Sequence, residues 1–87
     1  MNDASIRAVV RRALADVAPE ADLDTLPPNA ALRDELDLDS VDFLSFIIAL
    51  HKALGVEIPE SDYAKLTTLA STVAYLDAKV SSRGGPD

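Results

Sequence analysis

The sequence predicts an all-α fold, a small four-helix bundle of three longer helices and one short helix, with a long loop between the first and second helices. Apolar residues recur at helical spacing in three segments, and proline or glycine residues separate these segments. No segment shows the alternation of a strand. With 87 residues, the chain is long enough for one small domain and too short for two. We place this domain at residues 1–80 and predict a disordered tail at residues 81–87.

The first helix is predicted at residues 3–18, and Pro19 ends it. Its apolar positions recur with helical spacing: Ile6, Val9, Val10, Ala13, Leu14 and Val17. The connection that follows contains Pro27-Pro28-Asn29, and Asn29 can cap a brief turn through residues 30–34. Long loops that are tied to a core are often functional, and this one leads to Ser40.

The second helix is predicted from Ser40 to Leu54, with Gly55 as its C-terminal signal. Asp39 or Ser40 can cap its start, and Asp42 lies among the first free backbone N–H groups. A short third helix is predicted near residues 63–66, where Ser61 or Asp62 can cap it. Thr67 or Thr68 can cap the last helix, which carries one apolar face: Leu69, Val73, Leu76 and Val80. The residues expected to hold the bundle together are Leu14, Phe46, Ile47, Leu50, Leu69, Val73 and Leu76.

The composition is acidic and contains no cysteine. Fifteen Asp and Glu residues against eight Lys and Arg give a net charge of −7, which argues against nucleic-acid binding and favours partners with basic surfaces. The absence of cysteine excludes a thiolate nucleophile and a thiolate metal site. The longest apolar run, residues 46–50, is too short to cross a bilayer, and no targeting segment is visible. We therefore predict a cytoplasmic protein without membrane insertion, and we expect a monomer.

The second helix carries two apolar rows, although a surface helix in a small bundle needs only one. The first row is expected to form core: Phe43, Phe46, Ile47, Leu50 and Leu54. The second row consists of Val41, Leu44 and Ile48. On the residues alone, this second row is either an exposed partner surface or a face covered by the long loop.

Ser40 is the candidate functional residue. Its hydroxyl lies where an acidic loop becomes a helix, and the free N–H groups and positive dipole of a helix start suit a phosphate ester. An ordinary helix cap is the alternative. Catalysis by a Ser-His pair is excluded, because His51 is eleven residues along the same helix, about 16 Å away. A calcium loop counted from Asp37 fails, since Val41 and Ile48 occupy ligand positions. No metal site is predicted.

The stretch Leu36-Asp37-Leu38-Asp39-Ser40-Val41 resembles the attachment motif of acyl carrier proteins, and residues 55–59 and 66–69 resemble two further segments of that family. The resemblance implies that Ser40 carries 4′-phosphopantetheine and that Asp39 helps to orient the transferase's metal and substrate. It implies a phosphopantetheinyl transferase and acyl-loading, acyl-transfer or condensing enzymes as partners, and no catalysis by the chain itself. The expected partner contacts are Val41, Leu44 and Ile48, with Asp37 and Asp42 at the serine end.

Some positions depart from the family's pattern. Asp37 stands where many members have glycine, and the bulky Phe43 lies near the cleft that buries acyl chains in the family, where it can shorten or close that cleft. Neutral or basic residues replace the glutamates that many fatty-acid carriers have along this helix: Ser45, His51, Lys52 and Ala53. These departures favour a specialised lipid or polyketide-type pathway. The alternatives are an aminoacyl or peptidyl carrier, and an unmodified helical adaptor that binds a partner through the second helix.

Overall fold

The computed structural model describes residues 3–84, with side chains through residue 81. Three long helices form the bundle, and a one-turn helix and two 3₁₀ segments lie in the connections. The helices are α1 (Asp3–Val17), α2 (Leu32–Glu35), α3 (Ser40–Leu54) and α4 (Leu69–Gly84), and the 3₁₀ segments are Leu23–Thr25 and Glu60–Lys65. The described residues contain no strand. The prediction of a small all-α bundle is confirmed.

Helix α3 has the predicted bounds. The Asp39 side chain accepts a hydrogen bond from the backbone N–H of Asp42 at 2.8 Å, so Asp39 and not Ser40 caps the helix. At the other end, Gly55 adopts the left-handed conformation with φ of 65°, and its N–H donates to the His51 carbonyl. Helix α1 ends at Val17, one residue before the predicted end.

The connection between α1 and α3 is tied to the start of α4. Ala31 pairs with Thr68 in an isolated antiparallel bridge, and the Leu32 N–H donates to the Thr67 carbonyl at 2.8 Å. Helix α2 begins beyond this bridge, with Ala31 in the cap position and no side-chain capping bond. The prediction that Asn29 caps this turn is therefore wrong, because backbone pairing with a distant segment determines where the turn begins.

The short helix before α4 is also displaced from its prediction. It is the 3₁₀ segment Glu60–Lys65, which begins after Pro59 without a side-chain cap, so neither Ser61 nor Asp62 caps it. Proline fixes its own φ, here −69°, and the Pro59 carbonyl accepts from the Asp62 N–H at 2.9 Å. These features begin the turn at an earlier residue than the predicted 63–66.

Helix α4 starts with a reciprocal cap. The Thr68 hydroxyl accepts from the Ser71 N–H, and the Ser71 hydroxyl accepts from the Thr68 N–H, both at 3.0 Å. The helix continues to Gly84 and so includes the first four residues of the segment predicted as a disordered tail. Residues 81–83 contain no glycine or proline, and the first glycine of the predicted tail is the last residue of the helix. Residues 85–87 lie outside the described residues, and the domain boundary at residue 80 stays a prediction.

The core joins the three long helices with residues from the connections. All the residues predicted to hold the bundle together are buried. The buried hydrophobic side chains are Ile6, Val10, Ala13, Leu14, Leu32, Leu38, Phe43, Phe46, Ile47, Leu50, Leu54, Val56, Leu66, Leu69, Val73, Leu76 and Val80. Leu32 and Leu38 anchor the chain immediately before α3 and so fix the position at which that helix starts. None of the helices in residues 3–84 has the length and apolarity needed to span a membrane.

A polar contact joins the Glu60–Lys65 segment to α4. The Tyr75 hydroxyl donates to Asp62 Oδ2 at 2.6 Å, and this bond lowers the pKa of Asp62 below its ordinary value. Burial, and secondarily the same bond, raises the pKa of Tyr75 well above its ordinary value. The bond is therefore strongest when Asp62 is ionised and Tyr75 is neutral.

Tyr75→Phe is expected to lower the Tm, by an amount that depends on pH. Since the pKa of Asp62 is lower in the folded state, its contribution is complete above the unfolded value of about 3.9 and is lost as the pH falls through the folded value. Since the pKa of Tyr75 is raised, its contribution is complete below about pH 10 and is lost as the pH rises through the folded value. Thermal melts from pH 2 to 11 should thus show the largest deficit in Tm between about pH 4 and 10.

Tyr63→Phe, at the chain's other tyrosine, is the matched control for Tyr75→Phe. Its difference in Tm from the wild type should not follow the same pH profile. A deficit for Tyr75→Phe that stays constant across the acidic range would show that Asp62 is not the group that responds.

Candidate functional site

Ser40 is the first residue of α3, and its side chain is exposed. Because Asp39 supplies the helix cap, the Ser40 hydroxyl is not needed for capping. Its oxygen accepts a hydrogen bond from Nη2 of Arg33 at 3.4 Å. The hydroxyl is therefore accessible and lies beside a cation at the positive end of a fifteen-residue helix.

Arg33 is a site residue that the sequence prediction missed. It lies in α2, is exposed, and places its guanidinium carbon 5.4 Å from the centre of the Phe43 ring, within the range of a cation–π contact. One feature of the sequence could have identified it: Arg33 is the one Arg or Lys between Arg12 and Lys52. Its contact with Ser40 depends on the position of α2, which the bridge between Ala31 and Thr68 fixes.

A surface groove of about 370 Å³ starts at Ser40. It is lined by Arg33, Ser40, Phe43, Leu44, Glu60 and Tyr63. Its floor is aromatic: the buried Phe43 ring meets the Tyr63 ring edge-on at 6.0 Å and the Phe46 ring at 6.2 Å. A flexible chain attached to the Ser40 oxygen could thus extend along a partly apolar surface next to α3.

His51 does not take part in this site. Its Nδ1 donates to the Val56 carbonyl at 2.7 Å and lies 3.5 Å from Glu57, at the opposite end of α3 from Ser40. The structure therefore places the single histidine away from the serine, as the sequence analysis expected. Within residues 3–84, no group of three His, Asp or Glu side chains is arranged to hold a metal ion.

The acidic residues of the predicted site surround the start of α3. Asp37, Asp39 and Ser40 are exposed, and Asp42 is half-buried. Asp37 and Asp42 also line a second groove, of about 430 Å³, together with residues 17–21 at the end of α1. The structure thus brings the three predicted aspartates to one end of the molecule, on either side of the serine.

Asp37 adopts the left-handed conformation with φ of 53°, which glycine adopts without steric cost. Left-handed geometry costs a non-glycine residue about 1–2 kcal/mol, and the greater freedom of unfolded glycine offsets part of this. We expect Asp37→Gly to be more stable than Asp37→Ala by about 0.5–1 kcal/mol in urea denaturation. Both variants lose the carboxylate, so each controls for charge in the other. Equal free energies of unfolding would contradict the backbone explanation.

The second apolar row of α3 is exposed. Val41 is 72% exposed, Leu44 46% and Ile48 44%, and these are the exposed large hydrophobic side chains among those that the structure describes. The other row is buried in the core, as predicted. The interpretation that the long loop covers the second row is therefore wrong, because α2 and its neighbours pack on the Phe43 side and beside the start of α4.

The comparisons with known proteins decide the family. Residues 8–76 match the family described as "Phosphopantetheine attachment site". The acyl carrier protein of Thermosynechococcus vestitus is 32% identical over 82 residues, which cover 94% of this chain and all of that protein. The chain belongs to the acyl carrier protein family. The acyl carrier proteins of Lactobacillus acidophilus (35% identical, covering 66% of this chain and 71% of the relative) and Helicobacter hepaticus (30% identical, covering 85% and 91%) are similar too.

Acyl carrier proteins are carriers and not enzymes, and 4′-phosphopantetheine is their cofactor. The site fits such a group. Ser40 offers an exposed hydroxyl, Arg33 a cation beside that hydroxyl, and the groove along Phe43 and Tyr63 a surface for the arm. The phosphate of this group is anionic and would lie beside Arg33. The arm beyond the phosphate is less polar and would lie along Phe43 and Tyr63.

Proposed function

We propose that Ser40 carries 4′-phosphopantetheine and that this carrier presents acyl intermediates as thioesters to partner enzymes. One observation carries the proposal: Ser40 is an exposed hydroxyl at the first residue of α3, freed from capping by Asp39, within the stretch that matches the family. The partners would be a phosphopantetheinyl transferase and enzymes that load, transfer or condense acyl groups. A cytoplasmic location and a monomeric state stay predictions of the sequence.

Attachment would use the chain's own hydroxyl as the nucleophile. The Ser40 oxygen forms a bond to the phosphorus of coenzyme A that bears the pantetheine, the pyrophosphate P–O bond breaks, and adenosine 3′,5′-bisphosphate leaves. The hydroxyl proton passes to a base on the transferase. Asp39 holds the first turn of α3 in place, so that the nucleophile is presented at a fixed position. When bound, the group supplies the thiol that forms the thioester.

The absence of cysteine gives a direct test of this proposal. The chain has no thiol of its own, so a thiol reagent should find none in the untreated protein and one per chain after incubation with coenzyme A and a phosphopantetheinyl transferase. Free coenzyme A is removed by gel filtration before the measurement. A folded protein that still shows no thiol after this treatment would contradict the proposal.

We also propose that the cargo stays outside the helical core. The Phe43 ring is buried between the Arg33 guanidinium and the Phe46 and Tyr63 rings, so the ring itself occupies the space between the groove and the core. An acyl chain would then lie in the open groove.

Attaching an octanoyl group to the modified protein is expected to change NMR shifts at Leu44, Glu60 and Tyr63, which line the groove. Leu50 and Leu76, which are fully buried, should keep their shifts. Amide spectra of the octanoyl and free-thiol forms give the comparison. Large changes at Leu50 and Leu76 would show that the chain enters the core.

We also propose that this carrier serves a specialised pathway, of lipid or polyketide type. The part of α3 beyond Ser40 exposes Ser45, Lys52 and Ala53, and His51 is engaged with Val56. Negative charge is concentrated instead at the serine end. Partner enzymes that read carboxylates along the whole helix should therefore use this carrier poorly. Turnover by a housekeeping ketosynthase or malonyl transferase at the rate of its own carrier would contradict this.

A further inference from the structure

Arg33 is the basic residue beside a strongly acidic site. Its Nη2 contacts the Ser40 oxygen at 3.4 Å, and its guanidinium lies over the Phe43 ring. In the sequence, the stretch from residue 34 to residue 42 carries five carboxylates and no basic residue. Arg33 is therefore the Arg or Lys closest to Ser40 in the sequence, and it also contacts the Ser40 oxygen.

Esterification of Ser40 would place a new negative charge among these carboxylates. Like charges at short range repel one another, and the repulsion is stronger at low ionic strength. The phosphorus would be bonded to the oxygen that Arg33 already contacts. A guanidinium is also suited to phosphate, because its planar set of N–H donors matches two phosphate oxygens.

The contact with Phe43 holds the guanidinium in place before the phosphate arrives. The cation–π contact with the ring restricts a side chain that would otherwise lose much rotamer freedom on binding. The ring is itself fixed by Phe46 and Tyr63. The cation is thus preorganised next to the oxygen that would be modified.

We propose that Arg33 is a positioning residue that binds the phosphodiester on Ser40 and directs the start of the arm into the groove beside Phe43. This inference rests on the proposed function. Arg33 lies in α2, outside residues 36–41, which resemble the attachment motif. Arg33 would offset the repulsion between the phosphate and the acidic loop, and it would limit the directions in which the arm leaves the protein.

The test compares Arg33→Gln with Arg12→Gln, which removes the same charge elsewhere. Arg12 lies on α1 beside Ala49 and Ala53, nine or more residues along α3 from Ser40. Intact mass first establishes that the wild type and both variants are fully modified. Phosphorus NMR of each modified protein and the change in Tm between its unmodified and modified forms are then measured at low salt.

We expect the phosphorus resonance of Arg33→Gln to be shifted from that of the wild type, while Arg12→Gln keeps the wild-type position. The change in Tm on modification should be more negative for Arg33→Gln than for the wild type and Arg12→Gln. Both differences should shrink as ionic strength rises from about 0.01 M to about 1 M, where the Debye length falls from about 30 Å to about 3 Å. Arg33→Lys keeps the charge without the planar donors and should fall between.

The outcomes separate this inference from the proposed function. A wild type that gains no mass would overturn the assignment of Ser40, and the inference would fall with it. Full modification of all the proteins, with identical resonances and identical changes in Tm, would leave the carrier role intact and overturn the role of Arg33 alone. Since Arg33 is exposed, its replacement should not prevent folding, and circular dichroism of the unmodified variants verifies this.

Discussion

Ser40→Ala is expected to abolish the gain in intact mass when the protein is incubated with coenzyme A and a phosphopantetheinyl transferase. The variant lacks the hydroxyl that would form the bond to phosphorus. Ser45→Ala, which changes another exposed serine five residues along α3, is the matched control and should gain one phosphopantetheine as the wild type does.

Loss of folding should not complicate the Ser40→Ala result. The helix is capped by Asp39, so the substitution removes only the long contact with Arg33. Alanine also has a high helix propensity, and we expect the free energy of unfolding to change by less than about 0.5 kcal/mol. A folded Ser40→Ala protein that still gains the full mass would show that another residue is modified.

Leu44→Asp is expected to lower kcat/KM for the transferase by about 30-fold, because a charged side chain would replace a central member of the exposed apolar row. This decrease corresponds to about 2 kcal/mol, the usual lower limit for an interface hot spot. Leu44 is 46% exposed and lies between Val41 and Ile48, one turn from Ser40. The rate of mass gain at a series of carrier concentrations gives kcat/KM.

Ala53→Asp is the control for Leu44→Asp, since it adds the same charge to the same helix. Ala53 is exposed and nine residues further along, about 180° around the helix from Leu44. It should keep kcat/KM within about twofold of the wild type if the row is the docking surface. Equal losses for both variants would point to charge alone, and no loss for Leu44→Asp would contradict docking through this row.

The sequence determines α3 through local signals, which is why its bounds agree with the prediction. Gly55 supplies the left-handed residue that ends the helix, and an aspartate caps its start. Helical periodicity predicted two apolar rows on this helix, and it predicted that one of them forms core. Whether the loop covered the second row could not be decided from periodicity, because it depends on where the connection packs.

The elements that sequence reasoning placed wrongly depend on contacts between distant residues. The start of α2 is fixed by the pairing of Ala31 with Thr68, thirty-seven residues away, and not by Asn29. The Glu60–Lys65 segment is joined to α4 by the bond between Asp62 and Tyr75. Short segments have weak intrinsic preferences, so such tertiary contacts decide where they begin.

The candidate site also contains residues that local sequence patterns identify and one residue that only distant contacts place there. Ser40, Asp39 and the exposed row lie within ten residues of one another, and both the motif and the helix pattern identify them. Arg33 reaches Ser40 only because α2 is held against the start of α4. The contacts of Phe43 with Arg33 and Tyr63 could not be predicted, because they also depend on how the connections pack. Its position near the serine end of the helix was predicted.

The most direct test of the attachment site is fragment mass spectrometry of the modified wild-type protein. The protein is incubated with coenzyme A and a phosphopantetheinyl transferase and digested, and the peptide that contains residues 34–52 is sequenced by fragmentation. We predict that the added phosphopantetheine will be found on Ser40, with Ser45 in the same peptide unmodified. Phosphopantetheine on Ser45 or on a serine of another peptide, or none in a folded and treated sample, would contradict the assignment of Ser40.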